Sequence, residues 1–473
     1  MRIKIEKGSA EEWQKKGVMG VALVTEGKDG VVRETDGRSV LEVVIGERAK
    51  MTRRALRVLI RRIVREALAK KYAKIAVDFS LFRFEHLQME DADLAELLAV
   101  NARMADYTFR DFVTEPKEGW PSIVEILFTN VSQKIAQTKV TEGVRRGLII
   151  GEEVNRSRHI ATMPGGVMTP RVLARHARDS VKNLPVKCTI LDEAKMERLK
   201  MGGVLGVGKG SDEPSRFIIM EYWGAGKSAS GGPIVLVGKG VTFDTGGINL
   251  KPSGYILGMN LDMSGGAAVI HTLAAAARLK VKKNIVALIP AVENMPSGSS
   301  YRPGDILHSM SGKTIEVLDT DAEGRIILAD ALHYAKKYKP SLVVDVATLT
   351  GAAMAALGER ATALFTEDEN LELKLRHLGE ESGDYVWPLP LWEEYDSEIK
   401  GTFGDVANVG TTRYGGAITA AMFLKRFVDK AYPWAHLDIA PRMTTLADEF
   451  LAKGSAGAPV RLLVKLLEKY SAK

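Results

Sequence analysis

The sequence predicts an α/β protein of two unequal parts. A smaller N-terminal α/β domain over residues 1–165 is linked by a helix to a larger C-terminal α/β domain over 166–473, built on a mixed, mostly parallel sheet. Three observations carry this. At 473 residues the chain is longer than one ordinary core organises. Short apolar runs alternate with segments of helical period along its whole length. The loop PGGVMTP at 164–170, with two prolines beside Gly165 and Gly166, interrupts that alternation and places a boundary near residue 165.

In the first part, GVMGVALVTEG (17–27), LEVVIGE (41–47), KIAVDF (74–79) and SIVEILFTN (122–130) read as strands. The segments at 53–72 and 93–109 have helical period, and TEGVRRGLIIGEEVNRSRHIATM (141–163) is the helix that would link the domains. Beyond the loop the pattern restarts with a helix at 169–181 and a strand at 186–191. Strands follow in GGPIVLVGKG (231–240), KNIVALIPAV (283–292), KTIEVLDT (313–320) and PSLVVDVATL (340–349), separated by helical stretches at 265–280 and 325–338. Repeated strand then helix implies a sheet covered on both faces, with ligands held in loops at the strand ends.

Composition narrows the function classes. Hydrophobic content of 45% with 26% charged residues describes a folded, soluble chain rather than a disordered or membrane-spanning one. The N-terminus, MRIKIEKGSAEEW, lacks the apolar centre of a signal peptide, so a cytoplasmic location without a membrane partner is expected. The single cysteine, Cys188, excludes an internal disulfide and a zinc-thiolate site, and reads as a small buried residue.

Two segments could carry chemistry. In DTDAEGR (319–325), Asp319, Asp321 and Glu323 are spaced so that an extended backbone would point all three carboxylates to one side. Such a cluster repels itself unless water or a cation neutralises it, although a solvated acidic turn capping the next helix is the commoner meaning of this pattern. The stretch 239–268 interleaves Lys239, Asp244, Lys251 and Asp262 with Gly246, Gly247, Gly265 and Gly266 in an apolar setting. Four carboxylates, Asp244, Asp262, Asp321 and Glu323, balance two divalent ions, whereas one ion would leave surplus negative charge. The phosphate-loop spacing, HExxH and GxSxG are all absent.

The segments GKGVTFDTGGINLKP, MNLDMSGGAA and TDAEGRIILADAL resemble, in order and internal spacing, the signature segments of the leucyl aminopeptidase family. VDVATLTGA, WPLPLWEEY, GGAITAAMFL and WAHLDIA extend the similarity over most of residues 160–465. The resemblance implies an aminopeptidase that releases N-terminal residues, preferably leucine-like, by attack of a metal-activated water. It implies two divalent metal ions per subunit, zinc or manganese, with cobalt or magnesium as further options. Asp244 and Glu323 would bridge the ions, Asp321 would complete one site, and Lys239 with Asp262 the other. Lys239 would ligate as the neutral amine, with its pKa depressed by the metal. Lys251 would stay cationic and stabilise the oxyanion, and Arg325 would hold a bicarbonate ion acting as general base. Met259, Thr348, Leu349 and Gly351 match positions that line the substrate pocket or contact the anion. Peptides with a free N-terminus and a homohexamer are the implied partners.

Three positions depart from the family pattern: Asp319 replaces a usual Asn, Asn260 a usual Lys or Arg, and Pro441 a usual Gly. None is an implied metal ligand. His271, His333 and His436 read as packed or surface histidines. A competing function, DNA binding, rests on the basic helix at 53–74, where Arg54, Arg57, Arg61 and Arg65 recur along one stripe opposite an apolar one. A solvated basic face is the commoner meaning of that pattern.

Overall fold

A computed structural model describes residues 1–14, 17–35, 37–131 and 134–471. The chain divides into two compact units, one of residues 1–155 with 445–454, the other of 156–444 with 455–473. The helix Lys134–Thr162 spans the division. Among the described residues no helix is long and apolar enough to cross a membrane.

The N-terminal unit holds a six-stranded sheet. Its spatial order is Arg2–Ile5, Glu125–Thr129, Lys74–Asp78, Met19–Val24, Arg38–Val44 and Val31–Thr35, all parallel except the last pair. The helix Arg53–Ala69 starts where Thr52 accepts a hydrogen bond from the Ala55 amide, and it buries Leu56, Leu59, Ile60, Ile63, Val64 and Ala67. Half of its basic stripe is not a solvated face. Arg57 and Arg61 are buried, and Arg61 donates from Nε to Asn101 Oδ1 at 2.8 Å. The facing helix Asp91–Ala105 is itself polar at Glu96 and Asn101, both buried, and Asn101 gives Arg61 its partner inside the unit.

The larger unit is built on a nine-stranded mixed sheet. Its central strands Trp434–Asp438, Leu342–Ala347, Ile234–Gly238 and Asn284–Asn294 are mutually parallel, and Gly240–Asp244 also runs parallel to Asn284–Asn294. Antiparallel strands flank them on both sides. Alternate residues feed two cores. Ile234, Leu236, Ile285 and Ala287 pack with the helix Ser264–Arg278, while Val235, Val237, Val286 and Leu288 pack with the helix Glu323–Ala335. Burial on both faces is why these strands read as unbroken apolar runs rather than alternating ones.

Candidate active site

The parallel strands deliver their side chains to one edge. Lys239 follows Ile234–Gly238, Asp244 closes Gly240–Asp244, Asn294 closes Asn284–Asn294, Thr348 follows Leu342–Ala347, and Asp438 closes Trp434–Asp438. This is the carboxyl end of the sheet, where open α/β folds bind ligands. Two further carboxylates come from helices. Asp262 lies in the short 3-10 helix Met259–Met263, and Glu323 is the first residue of Glu323–Ala335, where the positive end of the helix dipole favours a negative charge.

Asp244, Asp262 and Glu323, all buried, each bring a carboxylate oxygen within 4.8 Å of the others. Lys239 Nζ stands among them, 2.7 Å from Asp262 Oδ2, 2.8 Å from Glu323 Oε1 and 2.9 Å from the Thr348 carbonyl to which it donates. Thr348 Oγ1 also donates to Asp262 Oδ1 at 2.7 Å. Lys251 Nζ lies 2.8 Å from Asp244 Oδ2 and pairs with Asp321. Asp244 Oδ1 accepts from the Gly246 amide at 2.9 Å and from Asn294 Nδ2 at 2.8 Å.

The electrostatics follow from crowding acids away from water. Burial, with Glu323 and Asp244 beside it, pushes the Asp262 carboxyl well above the usual carboxylate range despite Lys239. Burial and Asp244 likewise raise Glu323, and raise Asp321 to about 7. Burial alone would lower both lysines, but the surrounding carboxylates outweigh it: Asp262, Glu323 and Asp244 hold Lys239 above its ordinary value, and Asp244 with Glu323 does the same for Lys251. Four carboxylates thus confront two ammonium groups, and the buried Asp262 Oδ2 and Glu323 Oε1 share the single Lys239 ammonium at 2.7 and 2.8 Å. A buried site of carboxylate oxygens around the Lys239 amine, with excess negative charge, suits divalent cations. Arg325 is buried, donates from Nη1 to the Asn408 carbonyl at 2.7 Å, and has a buried Nε with no partner. Burial lowers its pKa to about 10. An oxyanion at Nε would satisfy that donor.

The expected residues therefore do not all play equal parts. Lys239, Asp244, Asp262 and Glu323 converge, and Lys251 joins Asp321 to Asp244. Asp321 is outside the three-carboxylate cluster, and its side chain is 33% exposed. The geometry expected of 319–323 does not hold. Residues 320–321 form a turn rather than an extended segment, and Asp319 Oδ1 accepts a hydrogen bond from the Asp321 amide at 2.8 Å. Aspartate readily closes such a loop onto the backbone two residues on, and this removes Asp319 from the cluster. Asn260 donates to the carbonyls of Ala161, Thr162 and Met163, capping the end of the long helix rather than facing the acids. Met259 and Leu349 are half-buried, Thr348 is buried and Gly351 is exposed. His271 and His436 are fully buried, and His436 Nδ1 lies 2.5 Å from Asp345 Oδ1.

Several residues that hold the site carried little signal. Thr320 donates from Oγ1 to the Gly246 carbonyl at 2.6 Å and accepts from the Asn249 amide at 2.8 Å, latching the two acidic segments together. Asp438 accepts from the Leu349 and Ala440 amides and from Thr350 Oγ1, fixing the loop that carries Thr348. WAHLDIA contains Asp438, but an acid ending an apolar run does not reveal which loop it caps.

Residues 155–464 match the model of the cytosol aminopeptidase family, catalytic domain. The chain is similar to a probable cytosol aminopeptidase of Azoarcus sp. (strain BH72), 41% identical over 98% of this chain and 91% of that protein. It is also similar to one of Syntrophotalea carbinolica, 44% identical over 79% of this chain and 75% of that protein. Among solved structures, the bottromycin maturation enzyme BotP in complex with Mn superposes with a TM-score of 0.84 at 31% identity, covering 95% of this chain and 98% of the other. A buried acid cluster on the carboxyl edge of a parallel sheet, inside the region these relatives share, leads to one conclusion: the chain belongs to the cytosol aminopeptidase family and is a metallo-aminopeptidase, an exopeptidase hydrolase.

Proposed function

We propose that this protein removes leucine-like residues from the free N-terminus of peptides, using two divalent ions held by Lys239, Asp244, Asp262, Asp321 and Glu323 within a catalytic domain over residues 166–473. The observation that carries the reading is the buried convergence of Asp244, Asp262 and Glu323 around Lys239. Bound divalent ions supply Lewis acidity and a water of lowered pKa. Lys239 contributes as a neutral nitrogen once it has released its proton. Manganese and zinc both suit the donor set, and the manganese in the BotP structure favours the former.

Lys251, kept protonated by Asp244 and Asp321, is placed to stabilise negative charge growing on the scissile carbonyl oxygen. Arg325, with its orphaned Nε, would hold a bicarbonate ion able to take and return a proton. Half-buried Met259 and Leu349, with Thr348 and Gly351, would line the side-chain pocket and the anion site, and the sulfur and branched chain favour an apolar residue. A free amine is required because a blocked one offers no nitrogen lone pair to a cation. The same reading carries a cytoplasmic homohexamer. No observation favours DNA binding, since half of the proposed arginine stripe is buried.

Purified protein supplied with Mn²⁺ or Zn²⁺ is expected to cleave leucine p-nitroanilide and to leave its N-acetylated form intact. Lys251→Ala should abolish turnover. Equal cleavage of the blocked substrate would overturn the mechanism. Light scattering tests the hexamer.

A further inference from the structure

The turn that presents Asp321 and Glu323 is not self-supporting. Asp319 closes one amide of it, Asn249, Asn294 and Tyr301 bond the backbone of Thr320, and the groups on either side of Thr320 turn towards a residue nearly ninety positions away in the chain, Asn408, which follows the short strand Val406–Ala407 and is fully buried. Asn408 Oδ1 accepts from the Leu318 amide at 2.8 Å and the Asp319 amide at 3.3 Å. Its Nδ2 donates to the Asp319 carbonyl at 2.5 Å and approaches the Ala322 carbonyl at 3.5 Å. One planar amide therefore spans the turn from residue 318 to residue 322, the residue preceding Glu323.

The backbone of Asn408 is committed as well. Its amide donates to the Glu316 carbonyl at 3.0 Å, continuing the parallel pairing of Val406–Ala407 with Thr314–Glu316. Its carbonyl accepts from Arg325 Nη1 at 2.7 Å. A single buried residue thus touches the acidic turn through its side chain and the anion-holding arginine through its carbonyl. The amide offers the turn an acceptor and a donor on two separate atoms at once. An aspartate keeps the acceptor but sets a second oxygen against two carbonyls, and alanine takes the acceptor away from the Leu318 and Asp319 amides.

We propose that Asn408 is a positioning residue for metal binding and catalysis: its side-chain amide sets the turn that carries Asp321 and Glu323, and its carbonyl aims Arg325. The inference rests on the two-metal peptidase reading and deepens it. Partners one step removed from metal ligands commonly change affinity by about 10- to 100-fold when removed.

The test is calorimetric titration of Mn²⁺ into chelator-stripped full-length protein, wild type against Asn408→Ala and Asn408→Asp, below the melting temperature of each variant as read by circular dichroism. Both variants are expected to bind Mn²⁺ about 10- to 100-fold more weakly, and to lose kcat on leucine p-nitroanilide with a smaller change in KM. The aspartate gives the sharper result. Added negative charge by itself would tighten a dication, so weakened binding in Asn408→Asp reports lost geometry, and binding as tight as wild type or tighter overturns the proposal. Wild-type affinity in Asn408→Ala overturns it too, whatever that variant's melting temperature. If Asn408→Ala does not fold, Asn408→Asp decides alone, with Asn408→Ser, which retains a hydroxyl acceptor, expected to fall between it and wild type. Failure of the peptidase reading shows separately, as a wild-type protein that binds no Mn²⁺ or leaves the anilide intact.

Discussion

Gly324→Ala sets two opposed rules against each other at one atom. Gly324 is the second residue of the helix Glu323–Ala335, and in an ordinary helix replacing glycine by alanine stabilises by about 0.8–1 kcal/mol. Here a Cβ would meet Lys239 Cε at 2.5 Å, Nζ at 2.7 Å and Cδ at 2.9 Å. Ordinary carbon contacts lie near ~3.5–4.0 Å, so the lysine must retreat by about 1 Å. A surface lysine would swing aside. Lys239 cannot do so freely, because its side chain is only 4% exposed and its ammonium is held by Asp262, Glu323 and the Thr348 carbonyl. Overpacking of this kind costs about 1–3 kcal/mol, which exceeds the propensity gain. The variant is therefore expected to unfold at lower urea concentration than wild type. A displacement of about 1 Å at a reacting constellation costs on the order of 10²-fold in rate, so kcat should fall by one to two orders of magnitude. Urea denaturation followed by fluorescence, with steady-state kinetics on leucine p-nitroanilide, reads both effects. A variant more stable than wild type with unchanged kcat would refute the reasoning.

Other outcomes follow from the same contacts. Asp438→Ala removes the acceptor for the Leu349 and Ala440 amides, and each orphaned donor costs about 1–3 kcal/mol; calorimetry should find a lower Tm, with Asp438→Asn losing less. Asp330 has its carboxyl raised to about 7 by burial, although the Met310, Val204 and Gly203 amides pull the other way. Its folded pKa lies above the unfolded value of about 3.9, so its contribution to stability is complete below about pH 4 and is lost as pH rises through about 7. Urea midpoints between pH 5 and 8 should carry that decline in wild type and show less of it in Asp330→Asn. Stripping divalent ions with a chelator should lower Tm, because ions at a hundred times their Kd stabilise the folded state by about 2.7 kcal/mol; an unchanged Tm would argue against cations among Asp244, Asp262 and Glu323.

The chemistry of the site was readable in the chain because it rides on strand ends. VLVGKGVTFDTGG declares an apolar run that stops at Lys239 and resumes before Asp244, and in a parallel α/β sheet side chains at the carboxyl ends of the strands face the ligand edge. Glu323 was readable for a similar reason, standing at a strand-to-helix transition where a carboxylate suits the helix terminus. The basic stripe on the helix Arg53–Ala69 failed the same kind of reading. Helical period says which residues share a face but not what lies opposite, and Asn101 on the facing helix makes Arg61 a buried donor.

By itself the sequence determined the α/β class, the strand and helix alternation, and the acids and lysines that meet at the carboxyl edge, since each depends on local period and on residue type. Only the tertiary structure decided how those groups are shared. Asp319 turns back onto the Asp321 amide and leaves the cluster, Lys251 joins Asp321 to Asp244, and Thr320, Asn294, Asp438 and Asn408 hold the loops from positions far along the chain. The physical reason is that a hydrogen bond depends on distance and angle in space. An asparagine at position 408 carries no mark of the turn at 318–322 until the sheet brings its amide within 3 Å of the Leu318 nitrogen.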